Sequence, residues 1–226
     1  LELSIDTSTD WGGVALSEKG ELLAEITWKP GRNHTVELYP NIAYLLESSN
    51  QAGQAISIIF VAIGPGSFNG LRAGISAAKG LAFSLGIPVK GVSTLEIEAY
   101  PFACIGLPIC PIHDAGRGEI ATAIYQNGDD WQCLRPEYLT TAEKLAREIA
   151  EPTVLCGEIP LPIIEDIKSI AEEKAIVPDY PTRLRRPAHL AYLGWKHFTE
   201  SGPDDIHTLQ PVYLRQPPIT QRKKKY

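Results

Sequence analysis

The chain spells out one succession of elements twice, and few folds accommodate that. Residues 1–6, 12–17 and 21–28 read as strands; in the third, Leu22, Ala24, Ile26 and Trp28 alternate with Leu23, Glu25 and Thr27. Short turns rich in Ser, Thr, Asp and Gly join them into an antiparallel meander. A helix capped by Asn33 or Thr35 follows to residue 48, then a strand over 58–63, a helix after Ser67 and a strand over 88–92. After a helix at 94–100 the order restarts, with strands at 108–114, 119–125 and 131–138, a helix at 142–149, a strand at 153–156 and a helix at 162–171. An amphipathic helix over 187–200 comes last. A meander that feeds alternating strands and helices predicts an α/β fold, a mixed sheet flanked by helices. Its duplication, βββαβα twice, predicts two similar lobes facing each other across a cleft. The expected division is 1–103 for the first lobe, 104–205 for the second, and 206–226 for a C-terminal segment with a basic tail.

The balance of residues narrows the function classes. With 44% hydrophobic and 21% charged residues, the 226-residue chain has the make-up of a soluble globular protein. Its net charge of -6 offers no general attraction to nucleic acid or to an anionic membrane, so any RNA contact needs a local patch or a basic partner. Only the terminal run Gln221-Arg222-Lys223-Lys224-Lys225-Tyr226 is strongly basic, a pattern typical of a solvated end. Cys104, Cys110, Cys133 and Cys156 form no CxxC pair, as expected for free thiols in a reducing compartment. No apolar stretch approaches a membrane span, and no leader precedes the first strand, so a cytoplasmic location is expected.

Two turns could carry chemistry. Asp6-Thr7-Ser8-Thr9 ends the first strand of one half, and Asp114-Ala115-Gly116-Arg117-Gly118 ends the first strand of the other. Hydroxyls and turn amides there could hold phosphate oxygens while Asp6 or Asp114 holds a metal or a water. An Asp that merely organises its own turn explains either one alone; their equivalent placement in duplicated halves favours a facing pair. The five histidines show no HxxxH spacing, so no metal site is expected, and His34 could cap or pack at a helix start. Gly64-Pro65-Gly66-Ser67 lacks the Gly-Lys-Ser/Thr ending of a phosphate-binding loop. Gly66, Gly70 and Gly74 instead recur every four residues, which bares one helix face for close approach by another backbone.

Taken together, Ile5-Asp6-Thr7-Ser8-Thr9, Gly64-Pro65-Gly66-Ser67-Phe68 through Gly70-Leu71-Arg72-Ala73-Gly74, Gly91-Val92-Ser93-Thr94-Leu95, Asp114-Ala115 with Gly118-Glu119, and Pro211-Val212-Tyr213-Leu214-Arg215 resemble the TsaB (YeaZ) family. That family belongs to the actin, Hsp70 and sugar-kinase superfamily, also termed ASKHA. The resemblance spans nearly the whole chain and departs from the usual pattern at Asn69, where a Thr is common, and at Gly116-Arg117, where an Arg commonly follows Ala directly.

The resemblance implies two ribonuclease-H-like lobes and a role in making threonylcarbamoyladenosine in tRNA. It implies a non-catalytic subunit that pairs with a TsaD-like transferase, is joined by a TsaE-like ATPase, and meets tRNA only through the complex; a homodimer is the alternative when the chain is alone. No cofactor is assigned to the chain itself, with ATP or ADP and magnesium as candidates within the complex. The partner interface is expected on the two long helices of the first lobe, at His34, Leu38, Tyr39, Ile42 and Leu45 and at Gly70, Leu71, Gly74, Ala77, Ala78 and Leu81. On that expectation Gly74→Leu blocks helix crossing and spares the monomer. The competing class is a stand-alone ATPase or small-molecule kinase using Asp6 and Asp114 around magnesium. A peptidase has neither a metal motif nor a nucleophile and base to support it.

Overall fold

The computed structural model describes residues 1–29 and 34–215. The expected Asn33 cap and the basic tail lie outside the described residues. The first half runs β1 (Glu2–Asp6), β2 (Gly12–Glu18), β3 (Glu21–Trp28), α1 (His34–Ser48), β4 (Ile58–Gly64), α2 (Phe68–Leu85) and β5 (Val89–Ser93). A six-residue helix, α3 (Thr94–Ala99), and a 3-10 turn lead to the second half. That half runs β6 (Ile109–Gly116), β7 (Glu119–Asn127), β8 (Trp131–Thr140), α4 (Ala142–Glu148), β9 (Thr153–Cys156), α5 (Leu161–Ala171) and the two-residue β10 (Ala175–Ile176). A short α6 (Tyr180–Arg183) and the long α7 (Pro187–Ser201) complete it.

Both sheets have five strands, ordered β3-β2-β1-β4-β5 and β8-β7-β6-β9-β10. In each, the first strand pairs antiparallel with the second and parallel with the fourth. The duplication read in the sequence is therefore a duplication of topology.

Strand β4 shows why its apolar run is continuous. It is central and parallel to both neighbours, so both its faces must be covered. Ile59 and Val61 pack with Leu38, Ile42, Leu45, Ala77 and Ala78 of α1 and α2. Ile58, Phe60 and Ala62 face the other way, against Leu190 and Leu193 of α7. Helix α7, expected in the second lobe, lies instead across the first sheet. The approach is close: a Cβ on Gly194 would overlap the Phe60 ring, and one on Gly13 would overlap Pro187. Beyond α7 the chain runs along the first sheet as far as Val212: Asp204 bonds Lys90 Nζ and the Gly91 amide, and the Val212 amide donates to Ile63.

The second sheet is covered on one face by α4 and α5, with Leu145, Ile164 and Ile167 against Ile112, Ile120 and Leu155. Its other face meets α3, where Leu95 and Ala99 pack on Ile109, Ala123 and Val154. Ile97 of the same helix joins the α7 cluster. All six residues of α3 are buried, so this helix is the wall between the two sheets, and it places Glu96 and Glu98 in the interior.

Candidate functional site

A cleft of about 690 Å³ separates the lobes. Thr9, Ser67 and Phe68 line it from the first lobe, His113, Asp114 and Glu158 from the second, and the segment carrying Tyr213 and Arg215 closes one side. Phe68 and Tyr213 pack ring against ring with centroids 5.3 Å apart, and Arg215 pairs with Glu119.

Both acidic turns reach the cleft, at Thr9 and at Asp114, but Asp6 and Asp114 do not form a facing pair of carboxylates across it. Asp114 reaches the cleft and is exposed, with its Oδ1 accepting from the Gly116 amide at 2.7 Å, so it organises its own turn. Asp6, Thr7 and Ser8 are buried below the surface, and only Thr9 of that turn lines the cleft. The Asp6 carboxylate is also fully engaged. Its Oδ1 accepts from the Ser8 amide at 2.9 Å and the Ser8 hydroxyl at 2.7 Å, and its Oδ2 accepts from Arg185 Nε at 2.5 Å.

Arg185 is the centre of a buried charge cluster. Its Nη1 donates to Glu98 at 2.7 Å and its Nη2 to the Thr9 hydroxyl at 2.7 Å, and that hydroxyl donates onward to Glu158 at 2.5 Å. His113 Nε2 lies 3.0 Å from the same Glu98 oxygen. Burial works against the guanidinium charge, and the carboxylates of Asp6, Glu98 and Glu158 more than offset it, so Arg185 stays ionised. Burial also pulls His113 down, but the Glu98 charge and contact outweigh it and leave its pKa raised. For Glu158 burial dominates over Arg185 and raises the carboxyl. Removing one member of such a cluster leaves buried charges unpaired, at a cost of about 3–5 kcal/mol.

Sequence reasoning missed Arg185 and Glu98. In the run Arg183-Leu184-Arg185-Arg186, nothing in the spacing separates the buried guanidinium from its exposed neighbour Arg186. The one usable signal is the pair of glutamates on an otherwise apolar α3.

The expected partner residues need correction as well. Leu38, Ile42, Leu45, Leu71, Ala77 and Ala78 are buried in the first lobe's own core, and Leu81 packs against that core. Apart from the partly buried Leu81, they offer no surface to a second chain. The bare glycine face points inward too. A Cβ on Gly66 would overlap the Ser8 carbonyl, one on Gly70 the Thr7 carbonyl, and one on Gly74 would stand 2.5 Å from Thr7 Oγ1. Those glycines let α2 seat the Asp6–Thr9 turn, an arrangement fixed by Thr7 Oγ1 donating to Gly70 O at 2.7 Å. Gly74→Leu therefore damages the monomer, contrary to the expectation. His34 opens α1, and its side chain lies outside the described residues.

Of the expected interface set, Tyr39 is exposed. It belongs to a second apolar stripe on the outside of α1, with Val36 at 67% exposure and Tyr44 at 63%. On the adjoining α2, Phe83 is 77% exposed, and Gly80 sits one turn away in open space. Three aromatic rings and a valine on two neighbouring helices are thus left exposed among the described residues.

The comparisons with known proteins agree with this architecture. Residues 21–163, more than half of the chain, match the family model for "TsaD: tRNA N6-adenosine threonylcarbamoyltransferase". The tRNA threonylcarbamoyladenosine biosynthesis protein TsaB of Bacillus subtilis is 35% identical over 217 residues, covering 94% of this chain and 93% of the relative. Its Escherichia coli counterpart is 40% identical over 224 residues, with 94% of each covered. Among solved structures, YeaZ from Pseudomonas aeruginosa superposes with a TM-score of 0.79 at 25% identity, over 94% of this chain and 99% of that one. The ethanolamine utilization protein EutJ from Carboxydothermus hydrogenoformans, at a TM-score of 0.50 and 12% identity, shares the actin-like fold alone. On these grounds the chain belongs to the TsaB (YeaZ) family.

Proposed function

We propose that this chain is a non-catalytic subunit in the threonylcarbamoyladenosine modification of tRNA, and that it pairs with a TsaD-like transferase through the outer face of α1 and α2. The observation that carries the reading is the exposed set Val36, Tyr39, Tyr44 and Phe83 on two adjoining helices. Large rings left in water are the usual anchors of a protein interface, and Gly80 beside Phe83 leaves room for a partner backbone to come close. In this reading a TsaE-like ATPase joins the pair, tRNA is met only through the complex, and the site of action is the cytoplasm. The rival reading, a stand-alone ATPase or kinase, needs Asp6 as a ligand for magnesium, and Asp6 is already neutralised by Arg185.

The test is co-elution of purified chain and TsaD-like subunit on size exclusion. Phe83→Asp and Tyr44→Asp each place a charge on the proposed surface without touching the core. Either is expected to weaken pairing at least tenfold while shifting stability by about 0.5 kcal/mol or less. Unchanged pairing in both variants contradicts the proposal. If only a homodimer of the wild-type chain breaks, the face is a self-association surface and the transferase docks elsewhere.

A further inference from the structure

Actin-like folds place a nucleotide and its metal between the lobes, beside the carboxylate that ends the first strand. In this chain that carboxylate is Asp6, and its surroundings do not fit the group. Asp6 is 3% exposed, both its oxygens carry donors from Ser8 and Arg185, and Ser8 and Thr7 are buried with it. A divalent cation at Asp6 would have to displace a guanidinium held by two carboxylates and a threonine hydroxyl. The cleft floor already has its cation.

The position of Arg185 in the chain gives this arrangement a second consequence. It lies in the link between β10 of the second sheet and α7, which returns to the first. Two residues earlier, Arg183 anchors the link to the second lobe, with Nη1 donating to Gly157 O at 3.2 Å, while its Nε braces the link itself by donating to Pro178 O at 3.0 Å. Two residues later, Pro187 abuts Gly13 of β2. From that tether Arg185 bonds Asp6 and Thr9 of the first lobe and Glu98 of the dividing helix, while Thr9 reaches across to Glu158.

We infer that Arg185 is a built-in cation that latches the two lobes together at the cleft floor, in the place where the fold would otherwise hold a metal and its nucleotide. The lobes of this chain then keep one relative setting, and Mg-ATP does not bring them together. This inference stands apart from the partner surface on α1 and α2, which lies on the far side of the first sheet's helices.

Two measurements on the full chain test it. Calorimetric titration of the wild-type chain with Mg-ATP is expected to give no saturable heat up to millimolar nucleotide. Amide exchange is then compared between wild type and Arg185→Lys, which keeps a charge but loses the forked geometry. Exchange over residues 8–11 and 157–159 is expected to accelerate at least tenfold in the variant, with β1, β4, β6 and β9 unchanged. Should Arg185→Lys fail to fold, Glu98→Gln serves as the weaker lesion, with the same regions expected to loosen. Saturable Mg-ATP binding that protects residues 8–11 in the wild type overturns the inference. So does a folded variant whose exchange at both turns matches the wild type.

Discussion

His113 and Arg185 compete for one oxygen of Glu98, and that sharing sets how the site responds to pH. The folded chain raises the His113 pKa because the Glu98 contact outweighs burial. Protonated His113 therefore contributes to stability, in full below the ordinary imidazole value of about 6.5 and progressively less as pH rises through the raised folded value. The difference in thermal midpoint between wild type and His113→Gln is expected to be widest at and below that ordinary value and to shrink above the folded one. A difference that stays flat with pH contradicts it. Glycines at the turn make a second residue-level case. Gly70→Ala drives a methyl into the Thr7 carbonyl, and overpacking of this kind costs about 1–3 kcal/mol. A lowered urea midpoint at unchanged slope is the expected readout.

At the scale of elements, α2 has two faces with opposite demands. Its inner glycines seat a turn, whereas Gly80 meets nothing within 4 Å. Gly80→Ala is therefore expected to raise the stability of the isolated chain by up to about 1 kcal/mol, the ordinary helix-propensity gain; a loss of stability would mean that Gly80 is not free. The elements were legible because strand and helix periods differ, and because Gly64-Pro65-Gly66-Ser67 punctuates the change between them. The orientation of α1 was not. Leu38, Ile42 and Leu45 make one apolar stripe and Val36, Tyr39 and Tyr44 another. A helix that is apolar on two sides does not say which side is the lobe's own core. Here the shorter aliphatic stripe went inward and the tyrosines stayed outside. The return of α7 to the first sheet was hidden for a different reason: chain order alone does not say across which sheet a terminal helix lies.

Over the whole molecule, the two sheets repeat one topology but have come to do different things. The first carries helices on both faces and presents α1 and α2 outward; the second contributes Glu158 and His113 to the cleft floor. The Asp6–Thr9 turn, read in the sequence as a candidate phosphate site, is packed under α2 and paired with Arg185. The charge cluster escaped the sequence because its members, at 6, 98, 113, 158 and 185, come from five separate segments and meet only after both lobes have formed. Binding is accordingly expected at the outer helices and not in the cleft. Amide hydrogen exchange of the chain alone and mixed with a TsaD-like transferase measures this directly. Slowed exchange confined to residues 36–47 and 76–84, with residues 8–11, 113–118 and 157–159 unaltered, is the predicted result. Protection at the cleft turns with no change along α1 and α2 would contradict it.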